Sequence, residues 1–501
     1  MASLRFKLSS SDLIDGELVN AHLLSRDNQV VPGSISISDN LIEVKTSSEN
    51  NVAISLLFDA GKSGRLMLQT GILPPREEPY MLVQELVRHR IKLFLDMCEN
   101  WSLFYLSDDH PAVQKWEESR LVFTDSLVAP SDEEATALAR KALEQAISAT
   151  ERLALAHAQL LLHKRYAKKP ASSSAFGVGV NPSRFDEPLR NFLSNNVDIV
   201  SLPMQWSDLE PSAGQYQWEQ TDQWVKWIQQ NGKHAIAGPI IDFATKDAIP
   251  SWVREQSHDF PSMRDLCYNH LEQVVTRYGG AISFWNVVSG INLNMHISLN
   301  LNHMVDLIRT AALVVRQKRR DAKVMIEIAH PFSEFVTTEA NACNTSVLLA
   351  RLAQEGVRLD AVGVQLLVGK DSGRRVRDLM LLSSKLDELL HAEIPVIVSK
   401  LGAPSETISQ SDGWWKVGWD ERTQEKWAEH MFAIALSKPF VNSVIWADLY
   451  DHQSMDIPSS GFLTEKGNPR ALMSKLVKMR KRLKKPLGAL ELPKRTQEHG
   501  A

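Results

Sequence analysis

A small set of charged and aromatic side chains falls where apolar, strand-like segments give way to loops. Glu327 lies in KVMIEIAH, Asp242 follows HAIAGPII, and Asp448 and Asp451 follow VNSVIWA. Carboxylates at such points can do general acid–base or nucleophilic work. They also serve as helix caps and loop ligands, and no spacing here marks two of them as a pair. Lys400 ends the apolar run PVIVSK. An ammonium there cannot stay charged and dry alone, so it either pairs with Glu327, Asp242 or Asp448, Glu327 first, or reaches solvent along its stem. Histidine is a common proton-transfer group, which makes His330 and His452 candidates for that role, although isolated histidines are more often hydrogen-bonded loop residues. The run SDGWWKVGWDER carries Trp414, Trp415 and Trp419. Indole faces stack on apolar C–H surfaces such as those of sugar rings, which makes Trp414 and Trp419 glycan candidates, with Trp415 read as structural filling. The lone Gly-x-Gly at 177–179 reads as strand packing rather than a phosphate loop. His296 and His303 lack a third ligand, so no metal site is expected.

The elements that must hold these groups are written in the hydrophobic pattern. LRFKL, SISIS, LIEVKT, AISLLF and RLMLQ, separated by RDNQVVPGS and DAGKSG, predict a small β-sandwich-like domain over 1–75. Helical periodicity over 76–170 predicts a connector. Its longest helix starts at Ser131, with Glu134 three residues on as in a capping box. KKPASSS at 168–174 marks the domain boundary. Over 171–485 apolar strands alternate with amphipathic helices: 174–180, 197–204, 234–241, 283–290, 323–330, 361–368, 395–401 and 441–449. Eight such repeats predict an α/β protein with a (β/α)8 TIM barrel, whose functional groups sit on the C-terminal face. Residues 486–501 read as a tail.

Composition narrows the partners. A net charge of −4 predicts no affinity for nucleic acid, and the basic stretch KLVKMRKRLKKPLG reads as a solvated helix face. Cys98, Cys267 and Cys343 form no CxxC pair, against a thiolate metal site or disulfides. No run has the length of a membrane span, and MASLRFKLSSSDLIDG has no apolar leader core. The expectation is a cytoplasmic protein without cofactor or membrane contact.

WSDLEPSAGQYQWEQTDQWVKWIQQNG after the second strand, IPSW at 249–252 and RYGGAISFWNVV entering the fourth form one spaced pattern. IPVIVSKLGAPS at the seventh and SVIWADLYD at the eighth, followed by GFLTEKGNPRAL, complete it. Over roughly 174–485 the chain resembles family-10 glycoside hydrolases, the xylanase family. In the long signature, Trp206, Glu210, Pro211 and Trp218 shape a strand-to-helix loop and Gly214 permits the turn. The resemblance implies the barrel fold, but its chemistry is interrupted. Where the family carries its acid/base and its nucleophile, this chain has Gly290 and Lys400. Retaining hydrolysis needs two carboxylates about 5.5 Å apart, and neither residue supplies one. The sugar-binding Asn-Glu-x-Lys run is replaced by Leu202, Pro203, Met204 and Gln205, and the two expected histidines align with Phe243 and Leu367. Gln365 and Trp446 remain from the inner site.

These substitutions predict a family-10-like barrel that is not an enzyme, binding a glycan or other small ligand through Gln205, Asp242, Gln365, Lys400, Trp414, Trp419 and Trp446. Two alternatives stand beside it. One is an O-glycosyl hydrolase, xylanase-type, using relocated carboxylates such as Glu327 and Asp448. The other is a protein-interaction scaffold in which the N-terminal 170 residues matter most.

Overall fold

A computed structural model describes residues 2–9, 17–46, 51–245, 247–295, 298–337, 342–370 and 374–488; His296 lies outside them. The barrel strands are β1 (Phe176–Gly179), β2 (Ile199–Leu202), β3 (His234–Ala237), β4 (Phe284–Ser289), β5 (Lys323–Ile328), β6 (Ala361–Leu367), β7 (Val396–Gly402) and β8 (Val441–Trp446). Each pairs in parallel with its neighbour, and β8 with β1. The ring closes through Ala237 against Trp285, and a short continuation, Ile241–Asp242, also pairs with β4. The predicted (β/α)8 barrel is therefore the observed one. Its strands are legible because they are covered on both faces and read as continuous Val/Ile/Leu runs; every residue of β6 is buried.

The N-terminal sheets are present too. One joins Ser34–Ser38, Leu41–Thr46, Ala2–Lys7 and Tyr80–Met81; the other joins Val30–Val31, His22–Leu24, Ala53–Asp59 and Gly64–Gln69. The second sheet takes its edge strand from the barrel: Trp414–Trp415, in the loop after β7, pairs antiparallel with Arg65 and Gly64. Gly64 (φ +115°) is required for that approach, because an added Cβ would lie 2.2 Å from the Trp414 carbonyl oxygen.

Three helices join sheets to barrel: α1 (Leu82–Asn100), α2 (Pro111–Leu127) and α3 (Asp132–Tyr166). The Ser131 hydroxyl accepts from the Glu134 amide at 3.2 Å, satisfying one orphan donor at the start of α3. Glu151 of α3 is a buried junction. Its carboxylate accepts from the Trp415 indole at 2.6 Å and the Leu379 amide at 3.3 Å, and pairs with Lys416. On α1, buried Arg90 pairs with Asp378, which caps the barrel helix Leu379–Leu389. One apolar core runs from Phe6 and Ile54 through α3 to Val364 and Trp446, so the helices fix the sheets to the barrel wall rather than hanging beside it.

Candidate functional site

The signature after β2 is a structural cradle. The Glu210 carboxylate accepts from the Trp206 indole and the Gly214 amide, both at 2.8 Å, and lies 3.3 Å from His270 Nδ1. Burial alone would raise its pKa. The His270, Gly214, Trp206 and Tyr216 donors outweigh burial and bring it down to about 2. The Trp252 indole donates to the Glu210 carbonyl at 3.1 Å. This fixes the loop that places Pro203, Gln205 and Asp208 on the wall of the barrel mouth.

The mouth encloses a cavity of about 150 Å³. At its centre Lys400, one residue before Leu401 near the end of β7, donates to Asp456 at 2.7 Å. Asp456 also pairs with Arg374 at 2.8 Å. The expected partner, Glu327, is held elsewhere: it accepts from the Ser289 hydroxyl at 2.7 Å and the Gln365 amide at 2.9 Å. Burial opposes charge on Lys400, yet Asp456, Glu327 and Asp242 raise its pKa above the ordinary lysine range. Burial would raise the Asp456 carboxyl, but Lys400 and Arg374 hold it well below the usual carboxylate range. Asp242 goes the other way. Burial, with Glu327 adding to it, pushes it up to about 6 against the pull of Lys400 and the Ala244 amide.

Gly290, just past β4, has left-handed backbone, φ +63°. A Cβ built there would sit 2.5 Å from the Ala244 Cβ and 2.7 Å from its nitrogen. The Ala244 amide donates to Asp242 at 2.7 Å and the Phe243 amide to the Ser289 carbonyl at 2.8 Å, so the loop after β3 fills the space a side chain at 290 would need.

The other candidate residues are dispersed. Asp448 lies on the mouth, 3.2 Å from His452 Nε2; His452 Nδ1 lies 3.0 Å from the Ser454 hydroxyl. Both imidazole nitrogens are thus engaged by neighbouring side chains. Gln365 is buried beside Glu327. Trp446 is fully buried, its indole donating to the Ser460 carbonyl at 2.8 Å. Trp414 lies under the Arg65 guanidinium in the N-terminal sheet, and Trp419 is 5% exposed, edge-on to Trp427. Neither lines the mouth. Leu202, Met204 and Phe243 are buried in the barrel core, and Leu367 in a small cluster with Ala447 and Ile457, so the mouth's lining is more polar than those substitutions suggest. Asp451 pairs with Arg470 at 2.6 Å as a loop anchor. His330, pushed down to about 3 by burial and Arg374, lines a separate small cavity. His303 stacks on Phe260 at 4.1 Å.

Sequence reasoning missed Asp456, Arg374, Ser289, Asn286 and Ser399. Asn286 Oδ1 and Ser399 Oγ are buried with no hydrogen-bond partner among the described residues, and both residues line the mouth. The usable signal for Asp456 was Lys400 itself, whose charge demanded a carboxylate from some loop.

A closed barrel of eight parallel strands with its charged groups at the C-terminal mouth defines the class. The sequence model described as Glycosyl hydrolase family 10 matches residues 166–459, more than half the chain, and the chain belongs to that family. It is 27% identical over 161 residues to endo-1,4-beta-xylanase B of Humicola insolens, covering 32% of this chain and 42% of that one. It is 35% identical over 88 residues to endo-1,4-beta-xylanase 3 of Hypocrea jecorina (strain QM6a), covering 18% and 24%. The chain thus spans less than half the length of these curated relatives. Among solved structures, xylanase B from Clostridium stercorarium F9 aligns with a TM-score of 0.46 at 15% identity, over 64% of this chain and 98% of that one. A family-10 protein from Paenibacillus barcinonensis aligns at 0.48 and 15%, over 62% and 96%. The fold assignment rests on strand order and on the family match. No helix among the described residues is long and apolar enough to cross a membrane.

Proposed function

We propose that this family-10 barrel binds a small polyhydroxylated ligand, the size of one sugar residue, without cleaving it. The observation that carries the reading is Lys400, a cation seated against Asp456 where double displacement would need an attacking carboxylate. Two further features support it. Gly290 has no room for an acid in its place, and the unpartnered Asn286 and Ser399 oxygens give a hydroxyl-rich ligand something to bond. The cavity of about 150 Å³ is below the roughly 300 Å³ at which ligand pockets usually begin, which favours a single ring over a chain.

The test is a thermal-shift series with xylose, glucose and xylobiose beside a reducing-end assay on xylan and on an aryl xyloside. The expected result is a higher Tm with a monosaccharide, by mass action, and no released reducing ends. Hydrolysis that disappears in Glu327→Gln or Asp448→Asn would overturn the reading in favour of relocated carboxylates. No shift with any sugar would remove the ligand class and leave the scaffold role.

A further inference from the structure

A second cavity, of about 730 Å³, lies where the N-terminal sheet, the connector and the barrel wall meet. Its size falls within the roughly 300–1,000 Å³ of small-molecule sites. Met67, Leu93, Met97, Leu161, Phe332 and Leu381 make most of its wall apolar. Its charges are already matched. Lys438 pairs with Asp387 at 2.8 Å, Lys385 with Glu388, and Arg377 with Glu334. An ionic ligand would have to break one of these pairs, whereas an uncharged one would not.

Histidines line the cleft, and one of them leaves a directed acceptor. His22 Nδ1 lies 2.9 Å from the Asn20 carbonyl, which only accepts, so that nitrogen carries the proton. Burial, with Arg377 and Arg375, pushes His22 down to about 4, so the ring is neutral and its Nε2 is an acceptor. His89 Nε2 lies 3.3 Å from the Gln69 amide nitrogen, a donor. Burial, then Arg90 and Lys92, pushes His89 down to about 3, so its proton is on Nδ1. That Nδ1 is buried with no partner among the described residues. That atom is closed off from the cleft, so His22 supplies the directed polar contact. Trp101, stacked on His157 at 4.2 Å and donating to Asp387 at 3.2 Å, gives the cleft a rigid aromatic edge.

We propose that this cleft is a second binding site, separate from the barrel mouth, for an uncharged and largely apolar aromatic molecule that offers a hydrogen-bond donor to His22. The site joins all three parts of the chain, so its occupant ties the sheet, the connector and the barrel helix Leu379–Leu389 together.

The probe is N-phenyl-1-naphthylamine, an uncharged aromatic amine whose emission rises in apolar surroundings, titrated into the full chain. Saturable binding of one equivalent is expected. Leu93→Trp and Ser384→Trp fill the cleft from α1 and from the barrel helix, and each should weaken binding at least tenfold. Lys226→Trp, on an exposed helix face, should leave it unchanged. Circular dichroism selects the filled variants that fold, and either one alone decides the matter. Absence of saturable binding to the wild type, or undiminished binding to a folded filled variant, would overturn the proposal. Neither outcome bears on the mouth.

Discussion

Lys400 on β7 and Asp456, beyond β8, meet at 2.7 Å across the barrel mouth, and Arg374 pairs with the same carboxylate from the loop after β6. The pair is only partly exposed, 27% and 19% for the two side chains. Two cations on one carboxylate, with Glu327 and Asp242 nearby, form a network whose members depend on one another.

Removing the charge of Asp456 is therefore expected to cost more than a surface ion pair. Asp456→Asn leaves Lys400 and Arg374 without their shared partner, a loss of about 2–3 kcal/mol, below the 3–5 kcal/mol of a fully buried pair. Urea denaturation checks this, and a Lys400→Met/Asp456→Asn double variant should lose less than the two single losses summed. Strict additivity would show that the pair is not coupled.

Asp242 gives the opposite sign. Its folded pKa of about 6 lies above the ordinary 3.8, so between those values the folded state holds the proton more tightly than the unfolded state. Its ionisation penalty is absent near pH 4 and is complete above pH 6. Asp242→Asn keeps the oxygen that accepts from Ala244 and removes the penalty, so it should stabilise the protein at pH 7 by about 1–3 kcal/mol and have little effect at pH 4. Equal effects at both pH values would contradict the assignment.

Glu210 behaves as a depressed carboxylate, about 2 when folded against 4.5. Its stabilisation is complete above pH 4.5 and is lost as pH falls toward 2. The stability gap between wild type and Glu210→Gln should be about 3 kcal/mol at pH 6 and should narrow steadily below pH 4.5. A gap independent of pH would mean that the side chain acts through shape alone.

The barrel strands were legible because burial on both faces leaves continuous apolar runs such as VIVS and AVGVQLL. The signature loop was legible as structure because Trp206, Glu210 and Gly214 close a local circuit of hydrogen bonds. Pairings set by tertiary approach left no such mark. Lys400 reaches 56 positions along the chain to Asp456, past the nearer-looking Glu327, because Glu327 is already taken by Ser289 and Gln365. Trp414, which read as a glycan candidate, and Trp415, which read as structural filling, together extend the N-terminal sheet, since the β7 loop finds the open edge at Gly64 and Arg65. The second cleft was invisible for the same reason: its walls come from every part of the chain.

Gly290 makes the sharpest claim about the mouth, because it concerns backbone as well as lost chemistry. At φ +63°, with Ala244 atoms 2.5–2.8 Å from a built Cβ, even Gly290→Ala must shift the loop after β3, which carries the hydrogen bonds of Phe243 and Ala244. Left-handed strain and overpacking each cost about 1–3 kcal/mol, so a loss of about 2–5 kcal/mol in urea denaturation is expected. Ala244→Gly should recover only part of it, since the Ala244 nitrogen and Cα still meet the new methyl. A neutral Gly290→Ala would mean that the loop yields freely and that an acid side chain at 290 could be accommodated after all.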